Sequence, residues 1–177
     1  MTIIRDDEDQ FMSLNIALLT VSDTRTAETD TSGDILAEAV EEDGHGVVDR
    51  LIIPDDIYQI RAALSCWIAE EDVDAVILIG GTGLTGRDRT PEAIRPLLDK
   101  EIEGFGELFR MISFQEIKTS ALQSRALSGV ANGTLIFAIP GSTNACRTAW
   151  HSLIRDQLDS NHRPCNLAAL IPRLKEC

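Results

Sequence analysis

Two short, predominantly apolar runs constrain this chain more than anything else in it. "LNIALLTVS" (residues 14–22) and "AVILI" (Ala75–Ile79) show no alternation of polar and apolar residues. A strand that is apolar on both sides has to be covered on both sides. "GVVDRLIIP" (residues 46–54) reads as a further strand between them. Two helical patterns fill the gaps. "DILAEAVEEDG" puts Ile35, Leu36, Ala39 and Val40 on one face, with Gly44 expected at the C-cap. "DDIYQIRAALSCWIAEE" aligns Ile57, Ile60, Leu64, Trp67 and Ile68, with Asp55 or Asp56 at the N-cap. Strand–helix–strand–helix–strand with buried strands predicts a mostly parallel sheet with helices on both sides.

The second half continues the pattern with one reversal. "GFGELFRMISFQEI" predicts a helix clustering Phe105, Leu108, Phe109 and Ile112. "ALSGVANGTLIFAIPG" predicts two strands joined by a hairpin turn at Asn132-Gly133, which makes one strand antiparallel. "STNACRTAWHSLIRDQL" is an amphipathic helix whose Trp150 and Leu153 are expected to be incompletely covered. At 177 residues the chain suits one core. We expect a flexible acidic arm over residues 1–12 and a single domain over 13–177.

Net charge narrows the partners. A formal charge of −13 argues against nucleic-acid binding, which needs a basic stripe. No apolar run reaches the ~20 residues of a membrane span, and no export signal opens the chain, so a cytoplasmic location is expected. Cys66, Cys146, Cys165 and Cys177 form no C-x-x-C pair and are expected to be reduced thiols. An anionic ligand here must be held by backbone N–H groups, a few arginines or a bound cation.

"GGTGLTGRDRTPE" is where such a ligand would sit. Its Gly81, Gly83 and Gly86 satisfy a G-x-G-x-x-G pattern. The dinucleotide fingerprint, however, follows the first strand and opens directly into a helix. Here the glycines follow the third strand, and the helix start at Thr90-Pro91-Glu92 comes four residues after Gly86. No Gly-Lys-Ser/Thr occurs, which removes a Walker loop. What remains is either a turn that merely reverses the chain or a nest of backbone N–H groups for an anion. Two more strand ends favour the second. Ser22 and Asp23 leave strand one, and Pro140, Gly141, Ser142 and Thr143 leave the strand over 135–139 and open a helix. Asp55 and Asp88 follow strands two and three. Either alone suits a cap or turn role; two carboxylates at neighbouring strand ends suit Mg²⁺, which takes one or two carboxylates beside substrate phosphates.

These segments, with "GFGELFR", "LQSRALSGVANGTLIFAIPGSTNACRTAW" and "RPCN", resemble the MoaB/MogA family of molybdenum-cofactor biosynthesis proteins, most of all its MoaB branch. The likeness runs from about Ile16 to Asn166. It implies a three-layer α/β/α sandwich with a mixed sheet, assembled as a homotrimer or homohexamer. It also implies molybdopterin adenylyltransferase activity, in which AMP passes from MgATP to the molybdopterin phosphate. On this resemblance Asp55 and Asp88 are the catalytic acids and Mg²⁺ ligands. Substrate binding falls to Ser22 and Asp23; to Gly80, Gly81, Thr82, Gly83, Leu84 and Thr85; to Arg87, Thr90, Pro91 and Glu92; to Ser124 and Arg125; and to Pro140, Gly141, Ser142 and Thr143. Other proteins of cofactor biosynthesis are implied partners. Ile79 departs from the family, where Ser or Thr is common, and removes one hydrogen bond to the pterin. The Arg-Asp-x-Thr-Pro-Glu tract, which some MoaB-type chains lack, is intact here. The alternative is a non-catalytic MoaB-type protein that binds pterin or a pathway partner.

Overall fold

The computed structural model describes residues 11–175. Most of the expected acidic arm, residues 1–10, lies outside the described residues, as does Cys177. The last two residues of that arm are anchored. The Phe11 ring lies 5.1 Å from that of His45, and the Met12 N–H donates to Ser160 Oγ at 2.8 Å.

One six-stranded sheet carries the molecule. Its strands are β1 (Asn15–Val21), β2 (Gly46–Ile53), β3 (Ala75–Ile79), β4 (Lys100–Glu101), β5 (Leu127–Ala131) and β6 (Thr134–Ile139), in the order β2-β1-β3-β6-β5-β4. β2, β1, β3 and β6 are mutually parallel, and β5 runs against both β6 and β4. The hairpin forms at Asn132-Gly133, with φ of 47° and 83°, as the twist of two antiparallel strands requires. β4 was not foreseen, because two residues carry no periodicity.

The helices are α1 (Thr31–Glu42), α2 (Ile57–Ala69), α3 (Thr90–Ile94), α4 (Glu103–Ile117) and α5 (Thr143–Ala149). α5 continues through a π-helical turn (Trp150–Ile154) into α6 (Arg155–Leu158). Leu36, Phe105, Phe109, Cys146 and Trp150 pack on one side of the sheet against Ile16, Leu18, Ile77 and Phe137. Ile60, Leu64, Trp67 and Ile94 pack on the other against Leu19, Val76, Leu78 and Ile136. The expected three-layer α/β/α sandwich is therefore what forms, with β1, β3 and β6 as its buried centre.

Four local expectations change. α1 begins at Thr31, three residues before the predicted pattern opens at Asp34, because Asp30 caps the helix by accepting the Gly33 N–H at 3.1 Å. Gly44 follows the cap residue Asp43 with φ +87°, and His45 N–H closes the turn onto the Val40 carbonyl. Leu108 does not join the α4 cluster but is 46% exposed. Trp150, expected to be uncovered, is wholly buried and donates its indole N–H to Asp43 Oδ2 at 2.8 Å, while Leu153 packs against the core. A run of exposed apolar side chains lies elsewhere, on Leu108, Met111, Phe114 and Ile117 of α4 and on Leu122 beyond it. No helix among the described residues is long and apolar enough to cross a membrane.

Candidate functional site

Four parallel strands end at one rim, so the loops that follow them must meet there. β1 runs into Ser22 and Asp23, β2 into Pro54 and Asp55, β3 into Gly80, and β6 into Pro140 and Gly141. The glycine loop and the Pro-Gly-Ser turn touch: a Cβ on Gly141 would stand 3.3 Å from the Gly80 Cα. Gly80 and Gly81 have φ of +107° and +64°, and both are hemmed in. A Cβ on Gly81 would sit 2.2 Å from Thr90 Oγ1 and 2.6 Å from Asp55 Oδ2, so no larger residue fits between the loop and the acid beneath it.

The loop is held from below and from the side. Thr90 opens the expected helix start, but Arg89 takes the N-cap position of α3, without a side-chain capping bond. Thr90 is instead buried and donates its hydroxyl to the Gly80 carbonyl at 2.9 Å, a bond that fixes the loop rather than the helix. Arg125 is the second clamp. Its backbone N–H donates to the Thr82 carbonyl at 3.0 Å, and its guanidinium donates to the carbonyls of Gly83 (2.7 Å) and Asp88 (2.6 Å) and to the Glu92 carboxylate. Arg87 pairs with Asp23 through two N–H donors. Arg87, Thr90, Glu92 and Arg125 thus spend their polar groups on the loop, as positioning residues.

The two aspartates differ in environment. Asp55 is 8% exposed and accepts the Arg89 N–H at 3.1 Å, while its own N–H donates to Asp23 Oδ1 at 3.2 Å. Burial pushes its carboxyl above the ordinary value; the Arg89 bond opposes this and the charges of Asp88 and Asp23 add to it. Asp88 is half-buried and accepts the Thr85 N–H at 2.7 Å. Burial works against its ionisation, but hydrogen bonds from Thr85 and Gly83, with Arg125 nearby, hold its carboxyl below the ordinary value. The Arg87 bond likewise lowers Asp23. Asp23 is paired with Arg87, and of the two nearby acids Asp88 adds more than Asp23 to the rise at Asp55. Among the described residues no three His, Cys, Asp or Glu side chains gather to hold a metal alone. Asp55 and Asp88 fit Mg²⁺ only as partial ligands beside phosphate oxygens.

Two clefts open against this loop. The larger, about 370 Å³, is lined by Gly81, Thr82, Gly83, Asp88, Ser124, Pro140, Gly141 and Ser142, all expected from the sequence. Its far wall was not: Phe109, Ser113, Glu116 and Ile117 of α4, Ser120 and Gln123 after it, and Asn144, Ala145 and Thr148 of α5. The signal available was Ser113, a polar residue one turn after Phe109 on an otherwise apolar stripe. The smaller, about 310 Å³, lies on the loop's other side and is lined by Leu84, Thr85, Asp88, Glu92 and Arg125, with Ile57, Gly86 and Arg89. Ser22, Asp23, Asp55, Gly80, Arg87, Thr90, Pro91 and Thr143 line neither cleft. Ile79 faces the core at 1% exposure, so its departure from Ser or Thr leaves the cleft walls unchanged.

A family described as a probable molybdopterin binding domain matches residues 17–160. The chain belongs to that family. Within it, the chain sits with the MoaB/MogA molybdenum-cofactor biosynthesis proteins. Molybdenum cofactor biosynthesis protein B of Escherichia coli (strain K12) is 57% identical over 167 residues, covering 94% of this chain and 96% of that protein. A crystal structure of a molybdenum cofactor biosynthesis protein B superimposes with a TM-score of 0.81 at 48% identity, covering 83% of this chain and 92% of that one. The tungsten cofactor synthesizing protein MoaB from Pyrococcus furiosus gives 0.74 at 34% identity, over 82% and 92% of the two chains. In this chain the glycine loop and the Pro-Gly-Ser turn meet at one rim.

Proposed function

We propose that this protein is a molybdopterin adenylyltransferase. One observation carries the reading: Asp88 lines both clefts, so the glycine loop is a partition with a shared acid at its edge. A reaction that joins two large substrates at a phosphate needs that layout. Molybdopterin occupies the larger cleft with its phosphate toward the N–H groups of Gly81, Thr82 and Gly83 and the Ser142 turn. ATP approaches from the smaller one. A phosphate oxygen of molybdopterin attacks the α-phosphorus of ATP, the bond from that phosphorus to the β-phosphate oxygen breaks, and pyrophosphate leaves. No general base is required, because the nucleophile is already an anion. Asp55 and Asp88 would hold Mg²⁺, which offsets charge on the transferring phosphate when bound. Arg125 and Thr90 keep the loop in place throughout.

The test is turnover of molybdopterin and MgATP by the purified protein, with a MogA-type enzyme as reference. Adenylylated product is the expected result. Retained pterin binding without product would leave a binding protein of the same pathway, able to pass pterin to other biosynthetic proteins. The apolar side chains exposed along α4 support a homotrimer or homohexamer built on that helix, in place of the Trp150 region. Light scattering at micromolar concentration is expected to give three or six copies; a monomer mass would overturn it.

A further inference from the structure

We propose that a further cavity, on the α4 side of the sheet, binds a small neutral aromatic molecule whose ring hydroxyl pairs with Ser128. The cavity holds about 350 Å³, within the range of sites that enclose a small ligand. It shares no lining residue with either cleft. Phe105 lines this cavity and Phe109 the larger cleft, and their rings stack 6.4 Å apart, so α4 gives one ring to each space. The buried part of the lining is Phe105, Ser128 and Phe137, while Gly104, Leu108 and Ser152 are exposed.

Ser128 is the anomaly. Among the described residues its Oγ is the one buried side-chain nitrogen or oxygen with no hydrogen-bond partner. The side chain is on the cavity's side of the sheet: Ser128 stands opposite Phe137 in the β5–β6 ladder, opposite residues share a face, and both line the cavity. An unanswered buried hydroxyl costs free energy that a partner restores. A lone water is a poor partner, because a buried water needs about three polar contacts and the Phe105 and Phe137 rings supply none. A ring that fills the apolar space and carries one hydroxyl answers both needs, and aromatic walls suit an aromatic guest. The π-helical turn Trp150–Ile154 brings Ser152 and Leu153 into the lining; such turns interrupt regular helix and recur at functional sites. Asp156 also lines the cavity, and its charge disfavours a carboxylate or phosphate guest. The chemistry left is that of a neutral phenol.

Equilibrium dialysis of the purified full chain tests this with 2-naphthol and 2-methylnaphthalene, which has nearly the same shape and no hydroxyl. The wild type is expected to bind 2-naphthol about 10-fold more tightly, as one hydrogen bond to an otherwise unanswered group provides. Ser128→Ala is expected to bind 2-naphthol no better than 2-methylnaphthalene, and to unfold at no lower urea concentration than the wild type. Binding of neither compound by the wild type, or of both equally, overturns the site. A preference that survives Ser128→Ala places the naphthol elsewhere and overturns it too. A lower urea midpoint for Ser128→Ala would show that the hydroxyl already has a partner, which removes the reason for a ligand.

Discussion

Asp88 receives the Thr85 N–H at 2.7 Å and borders both clefts, so Asp88→Asn removes a charge and leaves an amide oxygen in the same position to accept. Folding is expected to change by no more than about 0.5 kcal/mol, as for substitutions that create no cavity or orphan. Adenylyl transfer is expected to fall by about 10²-fold or more, a barrier increase of about 3 kcal/mol. Pterin affinity is expected to hold, since a negative charge near the bound phosphate has gone. Single-turnover measurement beside pterin titration separates these effects; normal turnover would show that Asp88 has no catalytic charge to lose. Asp55→Asn is different in kind. Its carboxylate lies beneath Gly81 and accepts the Arg89 N–H, so its loss is expected to disturb the loop as well as the chemistry.

Arg125 shows how an element far along the chain fixes a loop. It follows the 3₁₀ segment Lys118–Gln123, precedes β5, and reaches back to Thr82, Gly83 and Asp88 on a loop some forty residues earlier. Arg125→Ala is expected to lower stability by about 1–2 kcal/mol and turnover by about tenfold or more. Arg125→Lys is expected to restore little of either, because an ammonium replaces a planar fork with a point charge. Urea unfolding alongside steady-state turnover checks both. The sequence disclosed five of the six strands, the hairpin and the rim, since continuous apolar runs and Pro-Gly turns leave few arrangements. It disclosed the identity of Arg125 but assigned it to a ligand, because nothing local says that its donors turn inward. Glu116 stayed hidden for a similar reason: its place in the cleft wall depends on α5 crossing beside α4, a contact that neither helix pattern contains. Thr90 likewise carries the signature of a helix cap, and only the nearness of the Gly80 carbonyl redirects it.

At the scale of the whole molecule, His45 joins the chain start to the body. Its Nδ1 accepts the Leu14 N–H at 3.1 Å, and its ring lies between Phe11 and Trp150. Burial holds its pKa below the ordinary value, against the nearby carboxylates of Asp43, Asp159 and Asp74. The unfolded chain therefore takes up a proton near pH ~6.5, before the folded one does. The contribution of His45 to stability is full above that pH and is lost as pH falls through the lower, folded value. Urea unfolding between pH 7 and 5 is expected to show this decline, with a shallower one in His45→Gln. Identical slopes would remove His45 as the cause.

The strand order also governs how the chain meets the cell as it is made. β1 can pair with β2 and β3 early, but β3 takes its other partner from β6, pairing Ala75 with Leu135 and Ile79 with Ile139. Until β6 emerges, the five apolar residues of β3 present an unpaired edge at what becomes the middle of the sheet. A nascent chain stalled between residues 80 and 133 is thus expected to leave that edge open to other chains, and only continued translation closes it.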